Sequence, residues 1–222
     1  MHDFRSPIDG RSRYPGYDVL SKRQGPSWNE QTRKVIERRL SIGSKPRFFI
    51  APEFETVVAI ANRIVPQPTD RPLIPVTALV DDKLYREVSD GYRPATMPKQ
   101  GDAWRLGLKA LEAESEAAYR ERFLRVSELG QDILLRKMES SELKSPEWGS
   151  LRPNDFFKKR MARDIVLAYY AHPTAWSEIG WGGPASPRGY VRLDFNERDS
   201  WEAAEAHGGD ETRACRINRH VR

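Results

Sequence analysis

Residues 51–66 read APEFETVVAIANRIVP, and their spacing decides the fold class. Phe54, Val57, Val58, Ala61, Ile64 and Val65 recur three and four positions apart, the period of one helical face rather than the alternation of a strand. Pro52 suits the first helical turn, where its missing N–H costs nothing, and Pro66 and Pro68 stop the run.

The same signature recurs outward from this segment. Pro75 starts a helix with Val76, Leu79, Val80 and Leu84 inward and Asp81, Asp82, Lys83 and Arg86 outward. Beyond a loop over 91–101, Trp104, Leu108 and Leu111 mark a helix running to Tyr119. Ser127 caps the next, which is expected to bury Leu129, Ile133, Leu134 and Met138. Pro153 opens the last long helix, carrying Phe156, Phe157, Met161, Ile165 and Ala168. On the N-terminal side, Ser27-Trp28-Asn29-Glu30 fits a capping box, in which serine and glutamate satisfy free N–H groups at a helix start. Trp28, Val35, Ile36 and Leu40 then share one face. Near the C-terminus, Asp199 or Ser200 caps a short helix through Ala206, closed by Gly208-Gly209. No strand-like alternation of useful length and no internal repeat is present. The expected architecture is all-α, a helical bundle with long ordered loops. It comprises an extended N-terminal arm over 1–26, a single helical domain over 27–207 and a basic C-terminal tail over 208–222.

Residues 163–194, RDIVLAYYAHPTAWSEIGWGGPASPRGYVRLD, form the stretch the chain is expected to present. The apolar helix breaks at His172-Pro173, because proline disfavours helical geometry in the residue before it. Trp176, Trp181 and Tyr190 follow among Gly180, Gly182, Gly183, Pro184, Pro187 and Gly189, so the loop is shaped by fixed turns. Interfaces enrich Trp, Tyr and Arg as anchors, and Arg188 and Arg192 complete that set here. Tyr14, Tyr17, Val19 and Leu20 give the proline- and glycine-rich N-terminal arm apolar anchors as well. Composition alone leaves interface and internal packing both open.

Hydrophobic residues make up 38% and charged residues 31% of the 222, with a mean hydropathy of −0.71. That is lean for a self-contained globule of this size. The net charge of +5 arises from 37 basic against 32 acidic residues, interleaved through most of the chain. The excess gathers at Arg5, Arg11, Arg13, Lys22 and Arg23 and at Arg213, Arg216, Arg219 and Arg222. No helix-turn-helix, zinc-finger or RNP pattern accompanies it, so no nucleic acid is expected. Basic arms gripping an acidic protein patch explain the same residues. A single Cys215 excludes an internal disulfide. No apolar run approaches the ~20 residues that span a bilayer, and the arginine-rich start lacks a following apolar segment. A cytoplasmic location is expected, with a periplasmic one alongside a partner left open. The Arg38-Arg39 pair falls within a helical pattern and reads as a solvated face.

His172 is the best single candidate for a catalytic base, with Asp164 and Glu178 nearby in sequence. A base and its orienting group must lie within hydrogen-bond reach, and Asp164 is two helical turns away. The plainer reading is that His172 closes the helix end, where a cation complements the dipole. His2, His172, His207 and His220 are scattered, and no H-E-x-x-H or C-x-x-C pair exists, so no metal is expected. No G-x-G-x-x-G follows a strand, so no nucleotide or flavin site is expected in this chain. Gly180, Gly182 and Gly183 read as a structural turn.

An ordered series of segments resembles the gluconate 2-dehydrogenase subunit 3 family. RFFIAPEFETVVAIANRIVP (47–66) resembles its opening helix and IPVTALVDDKL (74–84) its second. AWRLGLKALEAES (103–115) and LGQDILLRKME (129–139) resemble the central pair, and FFKKRMARDIVLAYYAHPTAWSEIGWGGP (156–184) the closing helix and its aromatic loop. The resemblance implies a non-catalytic small subunit that binds and stabilises a large FAD-dependent sugar or sugar-acid dehydrogenase of the glucose–methanol–choline type. The FAD is then the partner's, and a cytochrome c subunit accompanies several members. Many members begin with a twin-arginine export signal; here an arginine-rich, tyrosine-containing arm stands instead. The resemblance favours the interface reading of the loop. Tyr14, Tyr17, Tyr170, His172, Trp176, Trp181, Pro184, Arg188, Tyr190 and Arg192 are therefore the expected partner contacts. The alternatives are a stand-alone hydrolase using His172, or a loop that completes the partner's sugar pocket.

Overall fold

The computed structural model describes residues 12–43, 45–69, 71–186, 188, 189, 191 and 197–221. Among these lie α1 (Glu30–Leu40), α2 (Ala51–Ile64), α3 (Val76–Tyr85), α4 (Gln100–Tyr119), α5 (Glu128–Glu139), α6 (Pro153–Phe156), α7 (Ala162–Tyr170), α8 (Pro173–Glu178) and α9 (Glu211–Asn218). No strand occurs among the described residues, and the all-α expectation holds.

The chain divides into two compact units. One spans 42–69 and 75–169 and is here called the helical unit. The other gathers the described parts of 1–41, 70–74 and 170–222 and is called the terminal unit.

In the helical unit, α2 buries Thr56, Val57, Ile60 and Ala61, and Pro52 stands in its first turn. Glu53 reaches back to accept from the Ile50 N–H at 3.0 Å, half of a capping box. A run of edge-to-face rings, Phe49, Trp104 and Phe156, crosses the core with centroids 5.6 and 5.7 Å apart. Gly107 of α4 admits the Phe156 ring, which lies 2.3 Å from where a Cβ would stand.

Two expectations about burial and one about helix regularity are corrected here. Asp81 and Asp82 are buried rather than outward. The reason is local: the Asp81 carboxylate accepts from the backbone N–H groups of Arg47, Phe48 and Phe49 at 2.8, 3.0 and 2.9 Å. A buried carboxylate is tolerated when donors surround it. On α5 the buried face is Gly130, Gln131, Leu134, Leu135 and Met138. Leu129, expected inside, is 71% exposed, and Ile133 one turn on is exposed with it. Finally, the last long helix is not regular. A π-helical turn over Phe157–Met161 joins α6 to α7 and brings Arg160 inside.

That turn frames a charged network. Asp164 accepts from the Trp104 indole N–H at 2.8 Å and the Lys83 ammonium at 2.9 Å. Lys83, Arg160 and Arg163 all donate to Asp90, at 2.6, 2.9 and 2.9 Å. Burial alone would raise the Asp90 carboxyl, but the Lys83 and Arg160 hydrogen bonds hold it below the ordinary value.

The terminal unit has its own core of Tyr17, Val19, Trp28, Ile36, Trp176 and Val221. Val19–Gln24 forms a 3-10 turn, and α1 begins at Glu30 with Asn29 as its cap, its side chain accepting from the Thr32 N–H. The expected Ser27 cap is thus displaced by two residues, and Ser27 Oγ accepts from Arg188 Nε at 3.1 Å instead. The helix expected before Ala206 is absent, because α9 forms later, within the supposed basic tail. Asn218 of α9 holds that tail down, accepting from the Ala204 N–H and donating to the carbonyls of Ala204 and Pro15.

Candidate functional site

The aromatic stretch after α7 is built in the terminal unit around Trp176. His172, in extended backbone conformation, ends the preceding helix and caps α8: its Nδ1 accepts from the Thr174 N–H at 3.3 Å. An Nδ1 that accepts carries no proton, so the imidazole is neutral. Burial, then Arg71 and Arg39, holds its pKa below the ordinary value. The expectation of a cation closing the preceding helix is therefore corrected: His172 serves the start of the next one.

Trp176 is buried, and its indole N–H donates to the Tyr170 carbonyl at 2.6 Å. Trp181 meets it edge to face, with centroids 4.8 Å apart. Arg39 lies 5.7 Å over the Trp176 ring and donates to the Ala171 carbonyl at 3.0 Å. Arg39 is thus half-buried, not part of the solvated face expected of it.

The N-terminal segment is the mould for this loop. The Val19 N–H donates to Ser177 Oγ at 3.1 Å, and the Tyr17 hydroxyl donates to the Trp181 carbonyl. Lys22, fully buried, donates to the carbonyls of Gly182 and Trp201 at 3.2 and 2.6 Å. Burial, reinforced by Arg188 and opposed by Glu202, pushes its ammonium down to about 8. The Asn29 N–H donates to the Ser186 carbonyl at 2.7 Å, beside an isolated bridge between Trp28 and Ser186. Gly180 and Gly183 both take positive φ, +68° and +69°, under Tyr14 and against Val19 and Trp176 respectively. The loop's shape is thus specified by this chain's own residues 14–29.

The family model for gluconate 2-dehydrogenase subunit 3 matches residues 51–183, well over half of the chain. The chain belongs to the gluconate 2-dehydrogenase subunit 3 family. No curated protein and no solved structure matches it. For this subunit 3 protein, the matched region starts at α2 and ends inside the aromatic loop, two residues past Trp181. As a subunit 3 protein it has, among its described residues, no helix long and apolar enough to cross a membrane.

The expected contact residues of the subunit 3 chain separate by exposure. Tyr17, His172 and Trp176 are buried among the unit's own residues, and Tyr14, Pro184 and Arg188 are half-buried. Tyr170 and Trp181 remain 46% and 41% exposed, and Ile179 between them, which the sequence reading did not single out, is 45% exposed. Tyr190 and Arg192 lie outside the described residues. Lys22, Trp28, Ser177 and Trp201 join this site without having been expected in it, and Val19, expected as an apolar anchor of the arm, joins them. Trp201 offered the one visible signal, a large aromatic in a polar stretch.

The groups proposed for hydrolysis have other partners. Asp164 belongs to the Trp104 and Lys83 network of the helical unit, and Glu178 accepts from Arg71 at 2.9 Å. Neither is hydrogen-bonded to His172 in the manner of a base and its orienting carboxylate.

Proposed function

We propose that this chain is a non-catalytic accessory subunit that binds and stabilises a large FAD-dependent dehydrogenase subunit of the glucose–methanol–choline type. The flavin and the oxidation of a sugar or sugar acid belong to that partner. The observation that carries the reading is the family match over 51–183, which runs into the aromatic loop as far as Gly183. Geometry supports it: Tyr170, Ile179 and Trp181 keep apolar surface in water around a buried Trp176 that is itself held rigidly. Rigid aromatic side chains suit an interface, since little rotamer freedom is lost on binding.

The test is expression of the full chain with and without a glucose–methanol–choline flavoprotein subunit from the same genome. Co-elution of the two in size-exclusion chromatography, with a higher yield of folded flavoprotein, is expected. A chain that elutes alone and leaves the flavoprotein's yield unchanged overturns the reading.

A further inference from the structure

The helix α9 is fixed in one orientation by the other end of the chain. Asn218 donates to the Pro15 carbonyl at 2.9 Å, and the Val221 carbonyl accepts from the Ser21 hydroxyl at 2.7 Å. Cys215 packs so closely on Gly16 that a Cβ there would stand 2.8 Å from its Sγ. Ala214, Asn218 and Val221 are buried by these contacts, while Arg213, Arg216 and Arg219 are exposed. With 3.6 residues to a turn, the three arginines fall on the arc opposite the buried one, about 4.5 Å apart along the axis.

Elsewhere in the terminal unit Arg13, Arg23 and Arg71 pair with Glu205, Glu37 and Glu178. Among the described residues, the side chains of Arg213, Arg216 and Arg219 have no hydrogen bond or ion pair. The neighbouring acids are placed elsewhere. Asp210 accepts from the His207 N–H at 2.7 Å, and Asp18 accepts from the Leu20 N–H at 2.9 Å. Glu211 has Ala214 and Cys215 three and four positions on, so no arginine of the helix faces it. The stripe works against the helix that carries it. Like charges at this spacing repel, and Arg213 stands in the first turn, where the dipole opposes a cation. Complementing the dipole therefore accounts for Arg216 and Arg219 but not for Arg213.

We propose that the outer face of α9 docks on an acidic patch of the flavoprotein subunit, whose carboxylates pair with Arg213, Arg216 and Arg219. This rests on the accessory-subunit reading and names a contact of that complex. A guanidinium is planar and pairs with a carboxylate through two parallel bonds, so a fixed row of three selects a matching row of acids. A lipid surface fits less well: the apolar side chains Ala214 and Val221 face inward, and an interfacial helix needs its apolar face free for the bilayer. A nucleic acid fits less well too, because the glutamates paired with Arg13, Arg23 and Arg71 break up the positive field that a polyanion requires.

The experiment measures binding of the full chain to the flavoprotein subunit at about 50 and about 300 mM salt. The unaltered chain is compared with the triple variant Arg213→Gln, Arg216→Gln, Arg219→Gln. A control of equal charge change carries Lys45→Gln, Lys99→Gln and Lys144→Gln on exposed positions of the helical unit. The arginine variant is expected to bind at least about tenfold more weakly at low salt and to lose most of the salt dependence, while its thermal midpoint stays level or rises. The control is expected to stay within about twofold of the unaltered chain. A complex that forms with the same affinity and salt response in the arginine variant overturns this proposal and leaves the accessory-subunit reading standing. No complex with the unaltered chain overturns both. Retention of the unaltered chain, but not the arginine variant, by phosphatidylserine vesicles or by a DNA duplex, with flavoprotein binding unchanged, assigns the stripe to that partner and overturns the proposal.

Discussion

A Cβ on Gly180 would stand 2.4 Å from the ring of Tyr14, so two residues 166 positions apart exclude any side chain at this turn. Gly180 also takes a φ of +68°, where an L side chain meets its own backbone. Gly180→Ala is therefore doubly penalised, and a loss of about 2–4 kcal/mol is expected from backbone strain plus overpacking. Gly189→Ala is the comparison: its φ is +84° but nothing lies within 4 Å, so only the backbone contribution of about 1–2 kcal/mol applies. Urea unfolding of both variants checks the order.

The alkaline stability profile follows from two touching residues, with Lys22 5.7 Å over the Tyr17 ring. Lys22 is held at about 8 against an ordinary 10.5, chiefly by burial. Between those values the unfolded chain keeps the proton that the folded chain has lost, so stability rises with pH across that window. Tyr17 acts oppositely. Burial, then Asp18, raises its phenol above 10, so the folded chain keeps a proton the unfolded chain loses and stability falls above pH 10. A maximum near pH 10 is expected, where the rising Lys22 limb meets the falling Tyr17 limb, with a Lys22 contribution on the order of 3 kcal/mol at most. Lys22→Met should flatten the rising limb in denaturant melts followed by tryptophan fluorescence.

Asp164 has no exposed side-chain surface and faces Lys83 and Arg160, the latter 4% exposed. Removing one partner of a buried charge network strands the others. Asp164→Ala is expected to destabilise the helical unit by about 3–5 kcal/mol. Asp164→Asn, which still offers an oxygen to Trp104 Nε1, should lose less. A calorimetric melt of each variant decides whether the carboxylate charge or the indole bond dominates.

Trp176 and Trp181 touch, yet their substitution should have different consequences. Trp176 fills the core, so Trp176→Ala is expected to cost about 3–5 kcal/mol of stability. Trp181→Ala removes a ring that is 41% exposed and should leave the melt within about 1 kcal/mol of the unaltered chain. If the exposed rim binds the flavoprotein, Trp181→Ala combined with Tyr170→Ala should weaken co-elution without lowering the thermal midpoint. Co-elution that survives both substitutions removes these residues from the interface.

Much of the fold was legible because α2, α3 and α6 through α7 carry apolar residues at helical spacing and prolines at their starts. Charge misled where a local structural demand overrode it. Asp81 reads as solvated until the three N–H groups of Arg47, Phe48 and Phe49 are seen converging on it. Periodicity misled on α5, where Leu129 and Ile133 form a stripe beside the buried one. The aromatic loop announced itself through Trp176, Trp181 and its glycines. What covers it did not. Residues 14–29 have no hydrophobic period, and their partners lie some 160 positions away, as in the Val19 to Ser177 bond. Pairings of that length leave no trace in local spacing.

The borders of family similarity and the borders of the folded unit do not coincide. The match stops at Gly183, while Tyr17, Val19, Trp28 and Val221, which enclose Trp176, all lie outside it. A recombinant fragment trimmed to the matched segment would thus be born with its tryptophan uncovered. Its insolubility would report the missing chain ends and nothing about any second protein.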